Sequence, residues 1–393
     1  MIEAFSVARI PEIIFGEGKF SELPAIMAQY GRQLLVFVGH RPLQSLPYWD
    51  RFTKMMSTAG FTWDVIQVEG EPSPDLVDDV VREYRQMGID AVLAIGGGSV
   101  IDAAKAVAGL LPHGNSVIDH LEGVGRGIPY KGPAAPFVAV PTTAGTGSEA
   151  TMNAVLSFSG PGGFKKSFRH KCLVPAVALV DPELTYSCPK DVTTACGMDA
   201  LTQLIESYVS RQASRFTDAL ALSGIAAASD GLIPAWQADS SDFKRGRNSM
   251  AYAALISGIT LAQAGLGIVH GLASLLGGHF PIPHGVACGT LLAAATEVNI
   301  RALQEQVPDS PALDKYAMVG MLLSSECPNS AESALKSLVE ALSDLTERFN
   351  IPRLGVYGIK ESDLPEIAAQ VGQKTNPVEL SQTEVIEVLH KRL

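Results

Sequence analysis

Apolar residues between positions 73 and 88, SPDLVDDVVREYRQMG, recur at helical spacing: Leu76, Val77, Val80, Val81, Tyr84 and Met87 form one stripe among polar neighbours. A stripe of this kind is what an amphipathic helix buries. Ser73 and Pro74 stand where such a helix begins, and Gly88 where it ends. On either side the pattern switches to short, unbroken apolar runs: LLVFV (34–38), DAVLAI (90–95), PFVAVP (136–141) and AVALVDP (176–182). Strands covered on both faces read this way. The run at 90–95 leads through GGGS into the small-residue helix VIDAAKAVAGLL. Strand–helix–strand alternation predicts a parallel sheet with crossover helices.

After about Pro182 the texture changes. Long Ala- and Leu-rich stretches take over at 193–210, 216–237, 247–277, 285–304, 331–349 and 379–392, and the short apolar runs stop. The expected organisation is an α/β domain over 1–185 and an all-helical domain over 186–393. No internal repeat or low-complexity tract is visible.

Composition narrows the function. The chain has 393 residues, 47% of them hydrophobic, which is ample for two cores. A net charge of −11 argues against nucleic acid or an anionic membrane surface as a partner. Five cysteines, at 172, 188, 196, 288 and 327, are odd in number and scattered, with no C-x-x-C pair. They read as reduced thiols, not as a disulfide frame or a thiolate zinc site. The start, MIEAFSVARIPEIIFGEG, lacks the basic residues and apolar run of a signal peptide, and the later apolar stretches are broken by charge. A soluble, cytoplasmic protein is expected.

Three stretches carry chemistry. AIGGGSVIDAAK (94–105) runs from a strand through three glycines into a helix. Glycine lets the backbone approach a phosphate, and the helix N-terminus offers unpaired N–H groups. VPTTAGTGSEAT (140–151) again follows a strand and supplies the hydroxyls of Thr142, Thr143, Thr146 and Ser148. Two such loops at the ends of neighbouring parallel strands favour a nucleotide or phosphate, although neither is a G-x-G-x-x-G or P-loop fingerprint. GIVHGLASLLGGHFPIPHG (267–285) holds His270, His279 and His284, three of eight histidines. Two histidines and a carboxylate suit a catalytic metal with an open position, and Asp199 is a polar residue inside an otherwise apolar helix. A lone histidine reads more readily as a satisfied helix or loop residue; the Gly-rich, proline-punctuated setting and Asp199 are what favour a ligand.

As a set, GGGSVIDAAK, PTTAGTGSEAT, DPEL, GMDAL…IESYVS and VHG…PHG resemble, in order and spacing, the iron-containing (group III) alcohol dehydrogenases of the dehydroquinate synthase-like superfamily. The resemblance runs from FGEG near residue 15 to at least Asn299. It implies a dinucleotide-binding α/β domain, a helical metal and substrate domain, and NAD(P) with a divalent metal, iron or zinc, beside the nicotinamide. On these grounds Gly97, Gly98 and Ser99 hold the pyrophosphate, while Asp102, Thr142, Thr143, Thr146, Asn153 and Lys165 line the cofactor. Metal ligands are Asp199, His270 and His284. Gln203 stands where the family has a further histidine ligand, and Ser274 where it has a histidine near the reacting centre. His279, in a segment that reads as a loop, becomes the substitute proton donor. After the second strand His40 and Arg41 occupy an edge without an acid, which admits NADP(H).

The resemblance leaves three readings open. The first is a three-ligand metal site, similar to that of glycerol dehydrogenases, in which Gln203 offers an amide oxygen or orders a water. The second is a metal-independent reductase similar to maleylacetate reductase, relying on His270, His284 or His279. The third is a protein that binds the dinucleotide without alcohol dehydrogenation, including a non-redox dehydroquinate synthase-like enzyme. The expected activity is interconversion of a small alcohol and aldehyde or ketone, or of a hydroxyacid and oxoacid. A homodimer follows from the resemblance alone.

Overall fold

The apolar run LLVFV becomes the centre of a parallel sheet. The computed structural model describes residues 4–158, 163–324, 328–373 and 375–393; Cys327 lies outside them. Two units are distinguished, Ala8–Pro189 and Lys190–Leu393, the latter with the N-terminal segment up to Val7.

The first unit carries strands β1 (Glu12–Phe15), β2 (Gln33–Gly39), β3 (Thr62–Val68), β4 (Ala91–Gly96), β5 (Phe137–Pro141), β6 (Asn153–Phe158), β7 (Phe164–Arg169) and β8 (Val177–Val180). Its helices are α1 (Leu23–Met27), α2 (Trp49–Thr58), α3 (Pro74–Tyr84) and α4 (Gly98–Leu110). Six strands form one sheet in the order β1-β8-β5-β4-β2-β3, with every pairing parallel. β6 and β7 form a separate antiparallel hairpin. Leu35, Phe37, Val92 and Ala94 face a core with Val77, Val81, Ile101 and Ala104 of α3 and α4. Leu34, Val36, Leu93 and Ile95 face the other core, with Leu23, Met27, Phe52 and Met56 of α1 and α2. Burial on both faces explains the unbroken apolar runs. Ser73 caps α3 by accepting from the Leu76 N–H, and Gly88 follows it at φ +70°.

The connection after β2 runs to β3 at the sheet edge, whereas that after β4 runs the opposite way to β5. The chain thus reverses direction between the adjacent strands β2 and β4. Open α/β sheets bind ligands outside the carboxyl ends of strands at such a switch point. Here those ends carry Gly39, His40 and Arg41 on one side and Gly97 and Gly98 on the other.

The second unit is helical: α5 (Lys190–Val209), α6 (Arg215–Trp236), α7 (Phe243–Ala264), α8 (Ile268–His279), α9 (His284–Gln306), α10 (Pro311–Leu323), α11 (Ala331–Arg348), α12 (Leu364–Gln370) and α13 (Gln382–His390). The expected single stretch 247–277 is in fact two helices bent by 99°. Gly265 makes the break at φ +72°, where an added Cβ would lie 2.9 Å from Thr375 Oγ1. The expectation that no segment is apolar enough to cross a membrane needs correction, since α6 and α9 both meet that measure by length and composition. Within the unit their buried residues pack against neighbouring helices, and α6 carries an internal proline, Pro234.

Candidate functional site

In the α/β unit, α4 begins at Gly98 behind Gly97, with no side chain capping its first turn. An N-terminus of this kind is suited to an anion. A Cβ on Gly98 would lie 2.6 Å from the Thr146 side chain, and one on Gly97 would lie 3.3 Å from Thr143 Oγ1. Glycine is therefore what lets the 142–147 loop lie directly against the helix start. Below it, Asp102 accepts from Ser148 Oγ, which fastens the end of that loop to the second turn of α4. The Asp102 carboxylate also lies 3.8 Å from Lys105 Nζ. Lys105 is fully buried. It donates toward Ser148 O (2.8 Å), Ser148 Oγ (3.0 Å), Thr151 Oγ1 (3.0 Å) and Asn153 O (2.6 Å). Burial lowers its pKa to about 8, against the pull of Asp102 and Glu149. Burial likewise pushes Glu149 up to about 7.

Asp102, Asn153 and the 142–148 loop are thus brought together around α4, whereas Ser99 lies within its first turn. Lys165, on β7, is ion-paired with Glu71. His40 is exposed, with Glu69 3.8 Å away.

In the helical unit, Asp199 lies mid-way along α5, and two small residues of α9 let that helix approach it closely. A Cβ on Gly285 would lie 2.2 Å from Ala195 O, and one on Gly289 would lie 3.0 Å from Met198 Cβ. Each of these glycines immediately follows a donor, His284 or Cys288. The bend after α7 begins α8 close to His270. There Glu206 Oε1 accepts from the Val269 N–H (2.7 Å), and Asn376 Oδ1 from the Ile268 N–H (3.1 Å).

Four donors converge. His270 Nε2 is 3.2 Å from Asp199 Oδ1, and His284 Nε2 is 3.8 Å from the same oxygen. Cys288 Sγ lies 3.7 Å from His270 Nε2 and 3.8 Å from His284 Nε2. All four ligand atoms fall within 4.8 Å of one another. Around a tetrahedral zinc, with bonds of about 2.0–2.3 Å, neighbouring ligand atoms lie about 3.3–3.7 Å apart. The cluster therefore fits a single metal ion. His270 Nδ1 is held by Glu206 Oε2 at 2.6 Å, which fixes the ring and turns Nε2 inward, as outer carboxylates do for metal-binding histidines.

The electrostatics agree with this arrangement. Burial opposes charge on Asp199, yet the His270 hydrogen bond and the facing histidines hold its carboxyl below the ordinary range. Burial also opposes an imidazolium, but Cys288, Asp199 and Glu206 together raise His270 well above its usual value. Burial pushes the Cys288 thiol up to about 12. Protons and a metal ion compete for the same lone pairs.

The remaining expected residues lie apart from this cluster. Gln203 is buried one turn beyond Asp199, where its Oε1 accepts from Ser257 Oγ at 2.6 Å. One of the two lone pairs of its amide oxygen is thereby used. His279 ends α8 instead of lying in a loop, and it is exposed. Nine residues along the helix from His270, it sits about 13 Å away along the axis. Ser274 is exposed on the same helix. Sequence reasoning missed Cys288 and Glu206. Their signals were spacings: Cys288 lies four residues after His284, and Glu206 seven after Asp199, in each case on one helix face.

Residues 11–182 match the family model for "Iron-containing alcohol dehydrogenase", and residues 193–393 that for "Fe-containing alcohol dehydrogenase family, C-terminal". The chain is 32% identical over 390 residues to alcohol dehydrogenase 4 of Saccharomyces cerevisiae, covering 97% of each protein. It is 29% identical over 391 residues to the NADPH-dependent butanol dehydrogenase of Clostridium saccharobutylicum, covering 96% of this chain and 95% of that protein. Among solved structures, 1,3-propanediol oxidoreductase superposes with a TM-score of 0.89 at 28% identity, covering 100% of both chains.

Proposed function

The chain belongs to the iron-containing alcohol dehydrogenase family, and from that premise we infer an NAD(P)-dependent enzyme that interconverts small alcohols with their aldehydes or ketones. We further propose a divalent metal on Asp199, His270 and His284, and a dinucleotide whose pyrophosphate rests on Gly97, Gly98 and Ser99. When bound, the metal supplies Lewis-acid polarisation of the substrate oxygen and the nicotinamide supplies or takes up hydride. The protein's part is positional. Glu206 holds the His270 ring by its Nδ1. Gly285 and Gly289 allow the close helix approach that sets His284 beside Asp199. The Asp102–Ser148 hydrogen bond holds the hydroxyl-bearing loop against the glycine turn.

The observation that carries the reading is the convergence of Asp199, His270 and His284 donor atoms, with the far nitrogen of His270 already taken by Glu206. Acceptance of NADPH is supported by His40 and Arg41, which follow β2 where the chain itself carries no acid; the nearby Glu69 lies beside His40. A homodimer is supported by Ile10 and Ile13, which expose apolar side chains on and before the edge strand β1.

The test is a panel of short aldehydes with NADH and NADPH, followed by loss of reduced-nicotinamide absorbance, using enzyme before chelation, after chelation and after metal is restored. Turnover should disappear on chelation and return with metal. Dinucleotide binding with no turnover of any aldehyde under all three conditions would contradict the oxidoreductase reading.

A further inference from the structure

We propose that Cys288 is the fourth ligand of the metal site, giving an Asp–His–His–Cys donor set, with zinc the ion that this set favours. The inference rests on the metal-assisted reading above and extends it to a residue that the ligand pattern Asp199, His270 and His284 leaves out.

Cys288 is fully buried on the face of α9 one turn beyond His284. Its Sγ is 3.7 Å from the inward nitrogen of His270 and 3.8 Å from that of His284. These separations are close to the tetrahedral edge of about 3.5–3.6 Å expected between a nitrogen and a sulfur bound to one zinc. The alternative fourth position on α5 is Gln203, whose neutral amide oxygen already accepts from Ser257 Oγ at 2.6 Å and is a weaker ligand than a thiolate. The sulfur is also set there by the backbone: Gly289, the next residue, packs where any side chain would meet Met198 Cβ at 3.0 Å. On binding, the S–H bond breaks, the sulfur–metal bond forms, and the proton passes to solvent. One carboxylate and one thiolate then balance the charge of a divalent ion. A thiolate in the set selects zinc over magnesium or manganese, which prefer oxygen.

The test is to load metal-free full-length protein with one equivalent of cobalt(II), a spectroscopic stand-in for zinc, and record its absorption. Cys288→Ala and Cys288→Ser are measured in parallel, with circular dichroism to establish that each variant is folded. The proposal expects a thiolate-to-cobalt charge-transfer band in the near ultraviolet for the wild type, and loss of that band in both variants. Zinc affinity, measured by chelator competition, should fall at least about a hundredfold in both. Stoichiometric cobalt binding by the wild type without the charge-transfer band would overturn the thiolate ligand and leave the three-ligand reading standing. A band that persists in both variants would equally overturn it. Failure of the wild type to bind cobalt or zinc at all would overturn both readings together.

Discussion

Each unit buries a cluster of charged side chains, and the two clusters are built on opposite plans. Around Lys105, one ammonium is surrounded by the oxygens of Ser148, Thr151 and Asn153, with Asp102 and Glu149 as counter-charges. Its donors all find acceptors, so the network closes on itself and clamps the loop to α4. Around Asp199 the lone pairs point inward at one another: an oxygen, two nitrogens and a sulfur within 4.8 Å. Such a set suits a shared cation, a metal ion or protons. Burial of charge is common to both. What separates a clamp from a site is whether the polar atoms complement each other or converge on one point.

Substitutions at the two clusters should therefore fail in different ways. The largest effect is expected for Asp199→Asn: kcat/KM should fall about a thousandfold, roughly 4 kcal/mol, and bound metal should drop well below one equivalent. Its thermal midpoint should stay near that of metal-free wild type. Steady-state kinetics with elemental analysis checks this, and global unfolding of the variant would erase the distinction. Lys105→Met should do the reverse. Leaving the Asp102 carboxylate buried without its counter-charge should cost about 3–5 kcal/mol of stability, while the metal content of folded protein stays unchanged. Urea unfolding and elemental analysis of the same preparation decide it.

Glu149 gives the clamp a pH signature. Its folded pKa is raised from 4.5 to about 7, so the protonated form is the one the fold favours. The stabilisation is full below pH 4.5 and is lost as pH rises through about 7. Glu149→Gln, which mimics the protonated acid, should match wild type at the acidic end and exceed it at pH 8 by on the order of 3 kcal/mol. Denaturation midpoints at several pH values would show the two curves diverging; parallel curves would count against the buried acid. In the other cluster, Glu206→Gln should weaken metal binding about 10–100-fold, as loss of an outer carboxylate does, with kcat at saturating metal much less affected. Chelator competition measures the first and metal-saturated kinetics the second. The smallest effect is expected for Arg41→Asp, which should raise KM for NADPH about tenfold, near 1.4 kcal/mol, and leave KM for NADH nearly unchanged.

The sheet was legible because strands covered on both faces must be apolar at every position, as in Leu34–Val38 and Ala91–Ile95. β1 and β3 were not, because edge strands are less buried: β1 is only four residues long and partly exposed, β3 mixes polar with apolar residues, and the β6–β7 hairpin carries Lys165, Lys166 and Arg169 among its apolar residues. The bend between α7 and α8 hides in the Ala- and Gly-rich composition of 247–277. Only the positive φ of Gly265 reveals it. Asp199, His270 and His284 were named through the family resemblance, and the structure brings them together. Cys288 was not, since a single cysteine in an apolar helix reads as a small hydrophobic residue. Lys105 gave no signal either, because a lysine's burial depends on tertiary neighbours 43 to 48 residues away.

The central claim is that the Asp199 cluster holds a metal the reaction needs. The most direct measurement is the metal-to-protein ratio of one preparation followed alongside its aldehyde reductase rate as metal is removed and restored. The account predicts one equivalent per chain in the active enzyme, with rate and occupancy falling and recovering together. Undiminished turnover by protein carrying no stoichiometric metal would contradict it.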